Sequence, residues 1–170
     1  MKPKLSSHKS VQILGVNISV TSVNKVLSTV TKKLAKNPLS RLFIITPNPE
    51  IVILAHDNLN YQDILNSADI AIPDGVGLTY AAKVLGLSNF YPIRGRELFL
   101  ELVNLANVHN WKVFLLGGVE GVSHKAKLKL NKLYPNLNIK SFDGPFLDIQ
   151  SRPLNEKEAD KETRALRRIN

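Results

Sequence analysis

The sequence predicts an α/β fold in which a parallel sheet is flanked by helices, and three observations support this class. Four short apolar segments, residues 41–46, 69–73, 111–116 and 136–142, have the length and composition of buried parallel strands. Segments with the apolar spacing of helices lie between them, as in right-handed βαβ units. A chain of 170 residues with 44% hydrophobic and 22% charged residues is typical of one globular domain with a sizeable core.

The first part of the chain carries local signals for a strand pair followed by a helix. Residues 11–20 predict two strands that meet in a bend at Gly15. Ser22 is a favourable N-cap and predicts a helix that continues to about Lys36 with its apolar residues on one face. The strand pair and this helix precede the first predicted parallel strand.

Helix signals also separate the parallel strands. Residues 48–50, Asn-Pro-Glu, combine an N-cap, a first-turn proline and an acid at the positive end of the helix dipole, so they predict one helix over residues 49–66. Gly86 is a natural residue to follow the last turn of a helix over residues 78–85. Two further helices are predicted over residues 96–108 and 119–133.

The two ends of the chain differ in composition from the predicted domain over residues 11–148. Residues 1–10 are basic and polar, lack the apolar core of a signal peptide, and predict a flexible tail. Residues 149–170 are strongly charged and predict either a tail that forms at best a solvated helix, or the start of a missing region. No apolar run approaches the roughly 20 residues of a membrane span. The chain has no cysteine and therefore no disulfide, so we expect a cytoplasmic protein.

The formal net charge of +9 predicts an anionic partner, such as phosphate groups, a nucleotide or an acidic membrane surface, with a solvated basic surface as the alternative. Nucleic acid is not expected, because aromatic residues make up only 6% of the chain and no stacking platform or reading helix is recognisable. The histidines lack metal-ligand spacing and the chain has no cysteine, so we expect no metal and no other cofactor.

Polar residues follow two consecutive predicted strands. Thr46 and Asn48 leave the first, and Asp74 leaves the second in the segment Pro-Asp-Gly-Val-Gly, which includes Gly75 and Gly77. Ligands bind outside the carboxyl ends of open parallel sheets, so neighbouring strands would bring these residues into one crevice. Asn48 would offer a helix N-terminus to a phosphate or sugar oxygen, and Asp74 would accept a proton from a hydroxyl. The alternatives are a simple turn for Asp74 and a simple helix cap for Asn48.

A glycine-rich turn, Leu-Leu-Gly-Gly-Val-Glu-Gly, follows the predicted strand over residues 111–116. Gly118 and Gly121 lie in register with the dinucleotide-binding fingerprint, but Leu116 replaces its first glycine, and the ribose-binding acid about 20 positions later is not clearly present. A nicotinamide-dependent oxidoreductase is therefore disfavoured. The turn predicts either a tight connection or phosphate contact through free amides, with Gly117 and Gly118 as the candidates.

Arg94 and Arg96 flank Gly95 at the start of a predicted helix. Guanidinium groups bind phosphate through paired hydrogen bonds, which makes both arginines candidates for phosphate binding. Solvated surface charge is the alternative for this pair.

Four motifs together resemble the WecG/TagA/CpsF glycosyltransferases, glycosyltransferase family 26. They are ITPNPEIVILA, ILNSADIAIPDGVGLTYAAKVLG, FLLGGVEGV and YPNLNIKSFDGPF, in this order and setting. The resemblance runs from about Val11 to Asp148, and the combination of Thr-Pro-Asn with Pro-Asp-Gly is quite specific.

The resemblance implies a Rossmann-like, GT-E-like fold and a metal-independent enzyme that is peripheral to the inner face of the plasma membrane. Such enzymes transfer N-acetylmannosamine or a related hexose, with inversion, from a UDP-sugar donor to an undecaprenyl-diphosphate-linked sugar acceptor. The pathways are wall teichoic acid, enterobacterial common antigen or capsule synthesis. A homo-oligomer is compatible with the resemblance.

Site residues carry over from the family by position. Asp74 resembles the family's proposed catalytic base, and Thr46 and Asn48 resemble its active-site polar pair. The other substrate-binding candidates are Gly75, Gly77, Arg94, Arg96, Gly117 and Gly118.

Two departures from the family pattern affect these expectations. Pro92 stands where family members usually carry an arginine, so Arg94 or Arg96 is the candidate replacement. The family continues with another strand, a Gly-Ala-Pro-Lys-Gln-Glu loop and a basic membrane-binding tail, none of which occurs in these 170 residues. We therefore expect a fragment, a truncated gene product or a shortened member that binds UDP-sugar weakly. The alternative function is a non-catalytic remnant that binds sugar-nucleotide or anionic lipid.

Overall fold

The computed structural model describes residues 9–87, 90–148, 150 and 152–169. Within these ranges the chain forms seven helices and six strands, which confirms the predicted α/β class and is consistent with a Rossmann-like fold. The chain divides into two compact units, Met1–Leu102 and Val103–Asn170. No helix in the described part of the chain is long and apolar enough to cross a bilayer.

A β-hairpin opens the described chain. Strands β1 (Lys9–Ile13) and β2 (Val16–Val20) pair antiparallel, and the predicted bend at Gly15 is confirmed. Leu14 and Gly15 both have positive φ, 47° and 85°, as two-residue hairpin turns of the primed type require. Residues 1–8 of the predicted tail lie outside the described residues, and Lys9 already belongs to β1.

Side chains from later in the sequence fix this hairpin to the first unit. The Asn66 side chain accepts a hydrogen bond from the Asn17 amide at 2.8 Å and donates one to the Gly15 carbonyl at 2.9 Å. The Ala71 amide donates to the Ser19 hydroxyl at 3.1 Å. The inner face of the hairpin contributes three buried residues to the core of this unit, Ile13, Val16 and Ile18.

Helix α1 (Val23–Lys36) has the predicted bounds, with Ser22 as its N-cap. The Ser22 hydroxyl accepts from the Lys25 amide at 3.4 Å, and Val26 and Val30 are buried.

Strands β3 (Ile44–Ile45) and β4 (Ile70–Ala71) pair in parallel, in the register Ile44–Ile70 and Ile45–Ala71. Both are shorter than the predicted strands over residues 41–46 and 69–73. Backbone bonds continue the alignment past the strands, because the Ile72 amide donates to Ile45 at 2.8 Å and the Asp74 amide donates to Pro47 at 2.9 Å.

The single helix predicted over residues 49–66 is wrong, because the chain forms two helices, α2 (Pro49–His56) and α3 (Leu59–Asn66). Asn58 separates them in an extended conformation, φ −135° and ψ 97°, and its side chain accepts from the Tyr61 amide at 3.0 Å. Asparagine competes with helix continuation in this way, since its side chain satisfies an amide that starts a new helix.

Two helices complete the first unit. Helix α4 (Val76–Val84) begins two residues before its predicted start and buries Leu78 and Ala82, and Gly86 follows it with φ 84° as predicted. Helix α5 (Gly95–Val108) matches its prediction within one residue, and its residues from Val103 onward belong to the second unit.

The second unit contains a parallel strand pair joined by a helix. Strands β5 (Val113–Leu116) and β6 (Ile139–Phe142) pair from Val113–Ile139 to Leu116–Phe142, and α6 (Val122–Leu133) connects them. The predicted helix start at residue 119 is wrong, because the glycine turn extends to Gly121, which has φ 80°. The core of this unit consists of Val103, Ala106, Leu130, Leu137 and Ile139.

Helix α7 (Glu156–Ile169) occupies most of the segment predicted as a charged tail. The helix is not wholly solvated, because Glu158 and Ala165 are buried. The Glu158 carboxylate accepts from the Phe146 amide at 2.8 Å and from the Lys161 ammonium at 3.1 Å. The Phe146 amide is the main cause of the lowered pKa of Glu158, and Lys161 adds to it. Ile149, Ser151 and Asn170 lie outside the described residues.

A carboxylate closes the N-terminus of α6. Asp143 follows β6, and its oxygens accept from the Gly121 amide at 2.8 Å, the Ser123 hydroxyl at 2.6 Å and the Ser123 amide at 3.3 Å. These bonds favour the ionised form, and they lower the pKa of Asp143, with the Ser123 hydroxyl as the largest cause and the Gly121 amide next. The carboxylate therefore joins β6 to the helix that precedes it.

The hydrogen bonds from Asn66 to the hairpin yield a stability prediction. Asn66→Ala removes the bonds to the Asn17 amide and the Gly15 carbonyl, so these two half-buried backbone groups lose this partner. We therefore expect the free energy of unfolding to fall by about 1–3 kcal/mol in urea titrations. Asn104→Ala is the matched control, because Asn104 is exposed on α5. Equal stability of the two variants would contradict a role for Asn66 in holding the hairpin.

The Asp143 cap yields a pH dependence. Because its pKa is lowered on folding, the ionised carboxylate stabilises the folded state above its unfolded pKa of about 3.9 and loses this effect as pH falls through the lower folded value. We expect Asp143→Asn to lower the unfolding free energy at pH 7, with the difference from wild type shrinking below about pH 4. Asp160→Asn, on the exposed side of α7, should leave urea unfolding unchanged at both pH values. A difference that stays constant with pH would rule out this origin.

Candidate functional site

The carboxyl ends of β3 and β4 lie side by side, which is the condition for a shared crevice. Their parallel pairing confirms that the two strands are neighbours. The bond from the Asp74 amide to the Pro47 carbonyl, 2.9 Å, joins the two loops directly beyond the strands. A third segment reaches the same edge, because the Ile93 amide donates to the Pro73 carbonyl at 2.9 Å. Thr46, Asp74 and Gly95 therefore come from three segments that meet at one place.

The half-buried Asp74 carboxylate is held by a residue far along the chain. Its Oδ2 accepts from the Gly95 amide at 3.1 Å, across 21 residues of sequence. Its Oδ1 accepts no hydrogen bond within the described residues. The carboxylate is thus not used by its own Pro-Asp-Gly turn, and one oxygen is left for a ligand.

Gly95 allows Thr46 and Asp74 to approach the same small space. A β-carbon at Gly95 would lie 2.9 Å from Asp74 Oδ2 and 2.9 Å from Thr46 Oγ1. Both distances are shorter than the contacts that β-carbons make with other atoms in proteins. A side chain at position 95 would therefore displace one or both oxygens. The spacing shows that the Thr46 hydroxyl and the Asp74 carboxylate both border the space beside the Gly95 backbone.

Asn48 is the N-cap of α2, as its alternative interpretation predicted. Its Oδ1 accepts from the Ile51 amide at 2.9 Å, and Pro49 occupies the first turn. The side-chain oxygen is therefore engaged by the helix. Asn48 nevertheless lies in the loop that is bonded to Asp74 through Pro47, so the residue belongs to the same edge.

Three helices begin at this edge. Helix α2 begins at Pro49, α4 at Val76 and α5 at Gly95. The N-termini of α2 and α4 are in close contact, since a β-carbon at Gly77 would lie 2.7 Å from Pro49 Cγ. Gly75, with φ 90°, is the N-cap of α4 and brings no side-chain cap. Because helix N-termini carry partial positive charge, the surroundings of Asp74 favour an anionic ligand.

The two predicted arginines are exposed beside this edge. Arg94 and Arg96 flank Gly95, and the Arg94 guanidinium pairs with Glu97 at 3.1 Å. The side chains of Arg94 and Glu97 are 68% and 56% exposed, so water screens this pair and its net contribution is small. The structure thus shows solvated arginines next to the site.

Gly117 and Gly118 belong to the second unit and are described apart from the Asp74 edge. Both have positive φ, 113° and 82°, as a tight turn after β5 requires. The expectation of free amides is wrong for Gly117, whose amide donates to the Phe142 carbonyl at 3.1 Å. The amide of Gly121 in the same turn is also engaged, because it donates to Asp143. The tight-connection alternative describes this turn better.

The sequence does not predict the roles of two residues that hold loops in place, Gly95 and Asp143. Gly95 was noted only as the residue between two arginines, and no local signal reveals that its amide reaches Asp74. Asp143 is the acid after the following strand that was not recognised, 22 residues beyond Gly121. The predicted strand over residues 136–142 ends where β6 ends and Asp143 is the next residue, but only the folded structure shows that its carboxylate caps α6.

No group of three or more His, Asp or Glu side chains in the described ranges could hold a metal ion. Of the four histidines, His109 stacks on Trp111 with the ring centroids 4.8 Å apart.

Comparison with known proteins identifies the family of this chain. The model of the glycosyl transferase WecG/TagA/CpsF family matches residues 11–170. Two curated relatives from Staphylococcus aureus, strains MRSA252 and NCTC 8325, are each 32% identical over 145 residues. Both are named N-acetylglucosaminyldiphosphoundecaprenol N-acetyl-beta-D-mannosaminyltransferase. The matched region covers 85% of this chain and 57% of each relative. The chain belongs to the WecG/TagA/CpsF family of glycosyl transferases.

Proposed function

We propose that this chain carries the catalytic carboxylate of an inverting glycosyltransferase. The donor is a UDP-sugar of N-acetylmannosamine or a related hexose, and the acceptor is a sugar linked to undecaprenyl diphosphate. Its place is the cytoplasmic face of the membrane that holds this acceptor. The observation that carries the proposal is the half-buried Asp74 carboxylate, held through one oxygen by Gly95, at the start of three helices.

The reaction needs a base, and Asp74 is placed to act as one. An acceptor hydroxyl attacks the anomeric carbon of the donor, the bond from that carbon to the phosphate oxygen breaks, and UDP leaves with the bonding electrons. The hydroxyl proton passes to Asp74 Oδ1, the oxygen without a partner among the described residues. Fixing Oδ2 on the Gly95 amide limits the rotation of the carboxylate and orients Oδ1.

The helix starts around Asp74 support binding of the leaving diphosphate. Positive ends of α2, α4 and α5 stabilise negative charge that develops on the departing phosphate oxygen. Gly75 leaves space for a phosphate to approach the backbone of α4 closely, because a β-carbon there would meet only Pro49 Cδ at 4.0 Å, whereas the lack of a side chain at Gly77 makes room for Pro49.

The other predicted residues take supporting roles in the proposal. The Thr46 hydroxyl, which borders the same space beside Gly95 as Asp74, hydrogen-bonds a sugar hydroxyl. Asn48 contributes its side-chain amide, since its oxygen caps α2. Arg94 and Arg96 offer guanidinium groups to phosphate, for which Arg94 must leave Glu97. In the second unit, the exposed Gly118 is the remaining glycine-turn candidate for phosphate contact, because Gly117 donates to Phe142.

Replacement of Asp74 tests the base. Asp74→Asn keeps the shape of the side chain and removes the proton acceptor, so we expect transfer to fall by about 10²–10⁴-fold in an assay of UDP release with a lipid-linked acceptor. UDP binding by calorimetry and the melting temperature should stay near wild type. Asp63→Asn, exposed on α3, is the control and should transfer normally. Turnover by Asp74→Asn close to wild type would remove Asp74 from the mechanism. Binding of UDP-sugar by the wild type without any transfer would instead indicate a binding role.

A methyl group at position 95 tests the geometry. Gly95→Ala puts a β-carbon where it displaces Asp74 Oδ2 and Thr46 Oγ1, so we expect kcat to fall by about 10–100-fold. The control is Gly86→Ala, where a β-carbon meets no atom within 4 Å; its positive φ of 84° makes alanine there lower the stability, but the rate per folded molecule should not change. Equal activity of the two variants would show that this close approach does not position the carboxylate.

A further inference from the structure

Helix α4 exposes a stripe of apolar side chains. Val76, Tyr80 and Val84, here called the α4 stripe, follow one another at intervals of four residues and are 79%, 72% and 72% exposed. Residues at this spacing lie on one face of a helix. The opposite face is buried through Leu78 and Ala82. The α4 stripe is thus not part of the core of the first unit.

The α4 stripe begins next to the candidate base. Val76 is the second residue after Asp74 and the first residue of α4. The helix has nine residues, so the stripe extends for about 13 Å away from the carboxylate. An acceptor whose sugar is bound at Asp74 therefore has an apolar surface directly beside it.

Basic residues stand at both ends of the α4 stripe. Lys83 lies on α4 near its C-terminal end. Arg94 and Arg96 flank Gly95, which is bonded to Asp74 where the stripe begins. Helix α4 itself carries no acidic residue. An apolar face with basic margins is complementary to the interface of an anionic bilayer, where aliphatic groups enter the acyl boundary and cations meet headgroup phosphates.

We propose that the α4 stripe rests in the interface of the anionic membrane that carries the lipid-linked acceptor. This inference rests on the proposed function, since it assigns the membrane contact to a particular surface beside Asp74. The two valines bury their aliphatic groups, and Tyr80 places its ring at the headgroup level with the phenol in water. The stripe then leads the lipid part of the acceptor away from the reacting sugar.

A second copy of the chain fits this surface less well. Three side chains on a nine-residue helix fall far short of the roughly 800 Å² per partner that a stable specific interface buries. A two-fold contact along α4 would also bring Lys83 and the flanking arginines of both copies together, at a net charge of +9 each. A bilayer imposes neither cost.

The test is flotation with lipid vesicles. Wild type, Val76→Ser/Tyr80→Ser/Val84→Ser and a control are mixed with vesicles of phosphatidylcholine alone or with 30% phosphatidylglycerol, a composition of roughly physiological charge. The control is Leu39→Ser/Leu59→Ser, which removes side chains that are 88% and 72% exposed elsewhere in the first unit. Circular dichroism verifies that each variant is folded, and Tyr80→Ser alone replaces the triple variant if that one does not fold.

We expect the wild type and the control to float with the anionic vesicles, and the triple variant to bind at least about tenfold less, since burial of one such side chain is worth about a factor of ten. Equal flotation of triple variant and wild type would overturn the inference. So would absence of wild-type binding, or sedimentation showing a wild-type dimer that the triple variant abolishes. UDP binding by calorimetry separates this inference from the proposed function. Loss of UDP binding with membrane binding intact would count against the donor site alone, and loss of membrane binding with UDP binding intact would count against the α4 stripe alone.

Discussion

The candidate site depends on one short parallel pairing, that of Ile44–Ile45 with Ile70–Ala71. Only two residues of each strand pair in the ladder, but the bonds from Ile72 to Ile45 and from Asp74 to Pro47 continue it into the loops. Parallel strands end at the same edge, so this pairing places Thr46 and Asp74 together. The bond from Ile93 to Pro73 then adds the segment that carries Gly95. A shift in the register of β3 and β4 would separate all three.

The two units treat the N-terminus of a helix differently. In the second unit, the Asp143 carboxylate accepts from the first amides of α6, so the positive end of that helix is neutralised from within the chain. In the first unit, the Asp74 carboxylate likewise accepts from the first amide of α5 and Asn48 caps α2, whereas α4 has Gly75 as its N-cap without a side-chain bond. The start of α4 is therefore better suited to an external anion than the glycine-rich turn that resembles a nucleotide-binding motif.

Local patterns predicted much of this arrangement. Ser22 and Asn48 are the N-caps that their side chains predict, and Gly86 follows α4 with a positive φ. The positions of Thr46 and Asp74 at strand ends follow from the alternation of apolar segments. The break at Asn58 was missed because a continuous apolar pattern hides a cap that acts over three residues. The role of Gly95 could not be predicted, because its partner is 21 residues away and the contact depends on tertiary packing. Asp143 directly follows a strand end that was predicted correctly, but its bonds to Gly121 and Ser123 span 22 and 20 residues and, like that of Gly95, depend on tertiary packing.

The hydrogen bonds that hold the β1–β2 hairpin to Asn66 and Ala71 have a consequence for biosynthesis. It is the first described element to leave the ribosome, yet its partners Asn66 and Ala71 follow Asn17, Gly15 and Ser19 by 49, 51 and 52 residues. At translation rates of about 5–20 residues per second, the apolar side of the hairpin waits for about 3–10 s before its cover is made. During that interval Ile13, Val16 and Ile18 are accessible to chaperones and to other nascent chains, so the hairpin is protected only after the segment that covers it has been made.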